Sequence, residues 1–153
     1  MVINIIILLS TFFFMEFTAW FTHKYVMHGL LWNLHFDHHN KQKGFFEKND
    51  AFFLIFAVPS WLFIMFGMLD GFDFKMWIGF GILLYGFAYF LFHEVLIHRR
   101  FPKLRKFLFK NLDNKYLKAV QFAHKMHHSH LGKEDGESFG MLIINPKYFK
   151  KVK

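Results

Sequence analysis

The sequence predicts an all-α, integral membrane fold: about three transmembrane helices, with further cytoplasmic or interfacial helices that carry a histidine cluster. Three observations lead there. Long apolar runs occupy residues 2–22, 51–68 and 74–92. Hydrophobic residues fill 54% of the 153 positions and aromatic residues 22%, which is high for a water-soluble globule. Ten of the eleven histidines fall into four short runs at or just beyond the ends of those segments, in a spacing that repeats. The length, 1–153, suits a single domain.

As a helix rising 1.5 Å per residue, the run from Val2 to Thr22 spans about 30 Å, enough for one bilayer core. It has neither the basic start nor the small-residue cleavage site of a signal peptide, so it reads as a span. Trp20 and Tyr25 suit the interfacial aromatic belt. Glu16 lies inside this run, seven residues before His23 and roughly 20° from it around a helix. A carboxylate at such depth is costly and usually functional, which predicts that Glu16 accepts the ring N–H of His23. A neutral glutamate near the lipid interface is the alternative.

Residues 51–68 contain Pro59 and lead into Leu69-Asp-Gly-Phe-Asp73, whose Asp-Gly pair reads as a tight turn. In residues 74–92, Gly79, Gly81 and Gly86 offer small faces for close helix contact. The two runs make a transmembrane hairpin, which returns the chain to its starting side and brings His23–His39 and His93–His128 to one membrane face. Of 19 Lys and Arg residues, 18 lie on that face and Lys75 lies at the turn. The positive-inside rule places the histidines in the cytoplasm and the N-terminus outside. Beyond the third span, Phe101–Asn111 alternates apolar and basic residues behind Pro102 and reads as an interfacial helix. Asp113 or Asn114 caps a helix that runs into His124. The tail from Gly132 reads as loop; Lys147, Lys150, Lys151 and Lys153 either touch anionic head groups or reflect the positive-inside bias.

The histidines are His23 and His28, then His35, His38 and His39, then His93 and His98, then His124, His127 and His128. Steps of three and four residues keep each HxxHH triplet within roughly a 100° arc of a helix. A step of five leaves its members about 140° apart on a regular α-helix, so both pairs predict a helix end or a π-bulge. With no cysteine in the chain, disulfides, iron–sulfur clusters, thiolate haem and Cys-type zinc sites are excluded. Ten imidazoles suit two metals of about five ligands each, more than tetrahedral zinc takes and compatible with octahedral iron that keeps open positions. Glu94 and Asp37, set among these histidines, are candidates to bond the ligand rings. Two irons facing an apolar interior suggest oxygen activation and insertion into an unactivated C–H bond of a lipid; hydroxylation, desaturation and other membrane oxidations stay open. A histidine-rich membrane metal transporter or sensor is the alternative of a different class, and it predicts ligands at mid-membrane depth. The net charge of +8 is divided by apolar spans, which argues against nucleic acid as a partner.

The stretches Glu16 with His23-Lys-Tyr-Val-Met-His28-Gly29, His35-Phe-Asp-His38-His39, Gly44-Phe-Phe-Glu47-Lys-Asn49-Asp50, His93-Glu-Val-Leu-Ile-His98-Arg-Arg-Phe-Pro102 and Tyr116 through His128, followed by Gly132-Lys-Glu134 and Ser138-Phe-Gly140, resemble the bacterial β-carotene hydroxylase family of the membrane fatty acid hydroxylase superfamily. The likeness runs from about residue 15 to 142. It implies a di-iron centre, two iron ions bound by the ten motif histidines, with O2 as co-substrate and a reduced ferredoxin-type electron donor. It implies hydroxylation at C3 of β-ionone rings, from β-carotene through β-cryptoxanthin to zeaxanthin, in the bacterial inner membrane. His130 lies outside the pattern, and the family often has Asp where this chain has Glu94. A related hydroxylase or desaturase of fatty acid or sterol shares the same boxes. Phe12, Phe13, Trp61, Phe63, Tyr85 and Tyr89 are candidates to line a channel for a flat polyene, with lipid-facing packing as the simpler alternative.

Overall fold

The computed structural model describes residues 1–40, 44–110 and 113–152; Lys41, Lys43 and Lys153 of the charge argument, and Asn111 at the end of the interfacial segment, lie outside them. Among the described residues every regular element is helical. Helix α1 (Val2–Phe21) runs into a π-helical segment, Thr22–Leu30, and is followed by α2 (Trp32–His39) and a 3-10 turn at Lys48–Asp50. Next come α3 (Ala51–Leu69), α4 (Phe74–Tyr89) with a second π-helical segment over Phe90–Ile97, α5 (Pro102–Leu108), α6 (Lys115–His128) and a 3-10 turn at Pro146–Lys150. Helical segments therefore cover Val2–Leu30, with a kink at Gly29, Lys48–Leu69 and Phe74–Ile97, three segments long and apolar enough to cross a membrane. Two of them extend past the apolar runs and carry a histidine pair at or beyond the end of the run.

The buried share of these spans is 11%, 17% and 33% in chain order, because α4 packs against both α1 and α3. Glycines permit that central position. A Cβ on Gly81 would stand 2.6 Å from Thr11 Cβ and 2.7 Å from Leu8 O; one on Gly79 would stand 2.6 Å from Ile64 Cγ1 and 2.8 Å from Ser60 O. Ser60 uses the close approach to donate its hydroxyl to Gly79 O at 2.8 Å. Gly86 was expected to act alike, yet a Cβ there meets nothing within 4 Å. Gly81→Ala is therefore expected to push α1 from α4 and cost about 1–3 kcal/mol, seen as a lower unfolding midpoint in detergent. Gly86→Ala should hold or raise the midpoint, since alanine improves a helix interior by roughly 0.5–1 kcal/mol.

The α3–α4 turn is built as the Asp-Gly pair predicts, with Gly71 at φ 82° and Phe72 at φ 65°. Asp73 caps α4 by accepting from the Lys75 amide at 2.9 Å, and the Lys75 ammonium pairs with Asp70 and Asp73. At the other end of the spans, Asn114 rather than Asp113 caps α6, accepting from the Leu117 amide at 3.1 Å. The tail is more ordered than its composition suggests: Asn145 caps the Pro146–Lys150 turn, and Tyr148 is buried against Ala119 and Ala123 of α6. Lys147 pairs with Glu137, so this lysine is committed within the fold.

Candidate metal centre

Both π-helical segments exist to align histidines five apart. Their i→i+5 bonds are explicit: the His98 amide donates to His93 O at 2.9 Å and the Leu31 amide to Val26 O at 2.8 Å. A turn widened in this way removes the 140° offset of a regular helix, so His23 faces the same way as His28 and His93 the same way as His98. Arg99, at φ 57°, then turns the chain sharply after His98.

The rings gather into two adjoining groups. His23, His28, His35, His39 and His127 place ring nitrogens within 4.8 Å of one another, and so do His38, His93, His98 and His124. His128 sits at the edge of the second group, its Nε2 2.8 Å from His124 Nε2. The division does not follow the halves of the sequence. Within each HxxHH the first and last residues, four apart, stay together, whereas the middle residue points about 100° from its neighbour and crosses over. His38 joins the group built on the second π-helical segment, its cap and α6, and His127 joins the group built on the first π-helical segment and α2.

The hydrogen bonds show what each group can hold. His28 Nδ1 lies 3.0 Å from Leu131 O and His127 Nδ1 lies 3.1 Å from Glu137 O. A carbonyl only accepts, so both protons are on Nδ1 and both Nε2 atoms present lone pairs. Those two Nε2 atoms stand 3.2 Å apart. Two lone pairs at that distance repel unless a cation lies among them. A proton is a poor candidate, because burial, then His28 and His128, holds His127 at a pKa of about 2. Burial is also the largest cause that takes His35 to about 3 and His39 and His98 to about 2. Among the described residues, His38 Nε2, His93 Nε2 and both nitrogens of His39 are buried without a hydrogen-bond partner, which costs free energy that a metal ion would recover. Neutral, inward, unpartnered imidazole nitrogen is the donor set that iron or another borderline metal takes.

Oxygen atoms behind the rings fix their orientation. Glu94 Oε1 accepts from His93 Nδ1 at 2.7 Å, and Glu47 Oε2 accepts from His38 Nδ1 at 3.0 Å. Asn49 Oδ1 accepts from His35 Nδ1 at 2.6 Å. Arg100 ties these together, reaching Asp50 Oδ1 at 2.7 Å, Glu94 Oε2 at 2.8 Å and Phe45 O at 2.6 Å. Among the described residues Asp37 bonds no ring; its Oδ2 accepts from the Lys48 amide at 2.6 Å and so positions the turn that carries Glu47 and Asn49. Reading the sequence for ligands passes over Glu47 and Asn49, which stand apart from every histidine run. The signal that marks them is the stretch Gly44–Asp50, which places acidic and amide side chains between the first two spans, close in sequence to His35–His39.

Glu16 is buried, and its carboxylate is placed differently from expectation. Oε1 accepts from the Met141, Leu142 and Ile143 amides at 2.9, 2.8 and 2.8 Å, and Oε2 accepts from the Tyr85 hydroxyl at 2.7 Å. His23 instead turns its Nδ1 to Phe139 O, at 2.9 Å. Glu16 therefore reaches His23 through the backbone of the tail it clamps. A Cβ on Gly140 would fall 2.9 Å from Glu16 Oε1, which is why glycine stands there.

The aromatic candidates divide. Tyr89 stacks on His93 with ring centroids 4.6 Å apart, Phe12 meets Tyr85 edge-on, and Phe13, Trp61 and Phe63 lie exposed on the outer helix faces. Phe139 packs edge-on against His23, His28 and His127. His130 lies outside both groups, with its Nδ1 3.0 Å from Met126 O.

Comparison with known proteins adds to this geometry. A family model described as fatty acid hydroxylase matches residues 8–145. The β-carotene hydroxylase of Pantoea ananas is 41% identical over 94% of this chain and 78% of its own length. That of Pseudescherichia vulneris is 38% identical over 93% of this chain and 77% of its own. The chloroplastic β-carotene 3-hydroxylase 1 of Arabidopsis thaliana is 36% identical over 90% of this chain, which spans 43% of that longer protein. No solved structure matches.

Proposed function

The chain belongs to the fatty acid hydroxylase family, and from that premise we propose that it is a membrane carotenoid hydroxylase, adding a hydroxyl at C3 of each β-ionone ring and converting β-carotene through β-cryptoxanthin to zeaxanthin. Relatives of that activity match over most of both chains. The observation that carries the metal reading is the facing pair of Nε2 lone pairs on His28 and His127, repeated in kind across two adjoining groups of rings. The ten rings suit two iron ions: one would be held by His23, His28, His35, His39 and His127, the other by His38, His93, His98, His124 and His128.

Iron bound there would supply activation of O2 for insertion of one oxygen atom into a C–H bond, the other leaving as water with two electrons from a reduced ferredoxin-type donor and two protons. The residues of the chain supply the setting. Nδ1 bonds to oxygen lock the rings of His23, His28, His35, His38, His93 and His127 with Nε2 inward. Burial of His35, His93 and His127 keeps water from the nitrogens. Tyr89 and Phe139 close two sides of the cluster with aromatic surface. A lipid-soluble substrate reaches the cluster from the apolar spans, whose histidine-bearing ends share one side. The charge distribution, 18 of 19 basic residues on that side, favours the cytoplasmic face of a bacterial inner membrane. Each group draws ligands from both halves of the chain, so the described residues act as one catalytic domain.

Expression in a β-carotene-producing bacterium, followed by pigment chromatography, tests the reading. Zeaxanthin should accumulate, with β-cryptoxanthin as the intermediate. Unchanged β-carotene alongside newly hydroxylated fatty acid would move the activity to a different lipid. One tightly held zinc per chain, inert to reductant, would overturn the iron assignment.

A further inference from the structure

The two groups of rings are alike in their inward nitrogens and unlike in what stands behind them. In the group of His23, His28, His35, His39 and His127, four outer nitrogens face uncharged oxygens: Phe139 O, Leu131 O, Asn49 Oδ1 and Glu137 O. In the group of His38, His93, His98 and His124, the two outer nitrogens with bonded partners face carboxylates, Glu47 and Glu94. Arg100 grips the second oxygen of Glu94 and so holds the first on His93. A carboxylate accepting the outer N–H of an imidazole pulls its proton and raises the basicity of the inner nitrogen; a carbonyl does so less, because it carries only a partial charge.

We propose that the two metal positions are inequivalent by construction: the carboxylate-backed group binds its metal more tightly and gives it more electron density than the carbonyl-backed group. The inference rests on the reading of the site as two irons. Glu47, Glu94 and Asn49 are then positioning residues that set this difference, and Asn49 is the point at which it can be reversed, since Asn49→Asp puts a carboxylate behind His35 with little change of shape.

The test uses the full chain in detergent, loaded anaerobically with iron-57, and reads iron release to a chelator together with the Mössbauer spectrum. Wild-type protein should hold two irons, lose them in two phases of equal amplitude and display two quadrupole doublets of equal area. Glu94→Gln should speed the slow phase by about 10- to 100-fold, the usual penalty for losing such a contact, and move one doublet only. Asn49→Asp should slow the fast phase and move the other doublet. Glu47→Gln should act on the same doublet as Glu94→Gln, which keeps the assignment testable if either variant folds poorly. Two irons released in a single phase with one doublet would overturn the inequivalence while leaving the di-iron reading intact. Fewer than two irons in wild-type protein would overturn both.

Discussion

His127→Ala is expected to empty the group of His23, His28, His35 and His39, although His127 lies on α6 between His124 and His128 of the other group. On the proposed assignment, the change removes a fully buried imidazole and would leave the metal of that group undercoordinated. Hydroxylation should fall by more than about 100-fold, beyond what loss of a supporting contact costs, and iron should fall from two per chain toward one. His38→Ala should produce the mirror result, since His38 crosses from α2 into the group of His93, His98 and His124. Iron-57 spectra of the residual metal distinguish the two: His127→Ala and His39→Ala should lose the same component, and His38→Ala the other. Loss of one common component in His127→Ala and His124→Ala would break this partition.

Substitution of Glu16 should have the second largest effect, acting at a distance. Glu16→Ala strips the acceptor from three backbone amides and from the Tyr85 hydroxyl in a buried setting, at about 1–3 kcal/mol for each group left unsatisfied. The tail should detach and take the Phe139 and Glu137 carbonyls from His23 and His127. Glu16→Gln keeps an acceptor for the amides and loses the charge, so iron retention in that group should weaken by about 10- to 100-fold. Once His23→Ala is in place, Glu16→Gln should add less damage than it does alone, because the two share the Phe139 link. Some damage should remain, because the same clamp also orients His127. Amide hydrogen exchange at Met141, Leu142 and Ile143 reads the clamp directly. Full iron retention and unchanged exchange in Glu16→Gln would refute this role.

Much of this was legible before any coordinates. Apolar runs of membrane length determine helices, because a backbone in lipid must satisfy its own hydrogen bonds, and the α3–α4 hairpin follows from the Asp-Gly turn. The five-residue histidine spacing determined that regular α-helix had to fail at those places, and π-helical segments are found at both. The HxxHH triplets predicted one convergent cluster each, since steps of three and four share a helix face; the structure instead divides each triplet between two adjoining groups, with His38 and His127 crossing over.

What the sequence alone determined, then, is the set of ten imidazoles, their helices and their common side of the spans, all set by local periodicity and by the burial of apolar surface. Only the tertiary structure decided how they are shared. That His38 and His127 exchange groups depends on how α2 and α6 are rotated against each other, a packing outcome on which spacing along one helix is silent. Glu16 likewise lies seven residues before His23, yet three of its hydrogen bonds go to a tail more than 120 residues away and the fourth to Tyr85. Backbone carbonyls and amides carry no sequence signature, so a site oriented by Phe139 O, Leu131 O and Glu137 O is visible only once the chain has brought them to the rings.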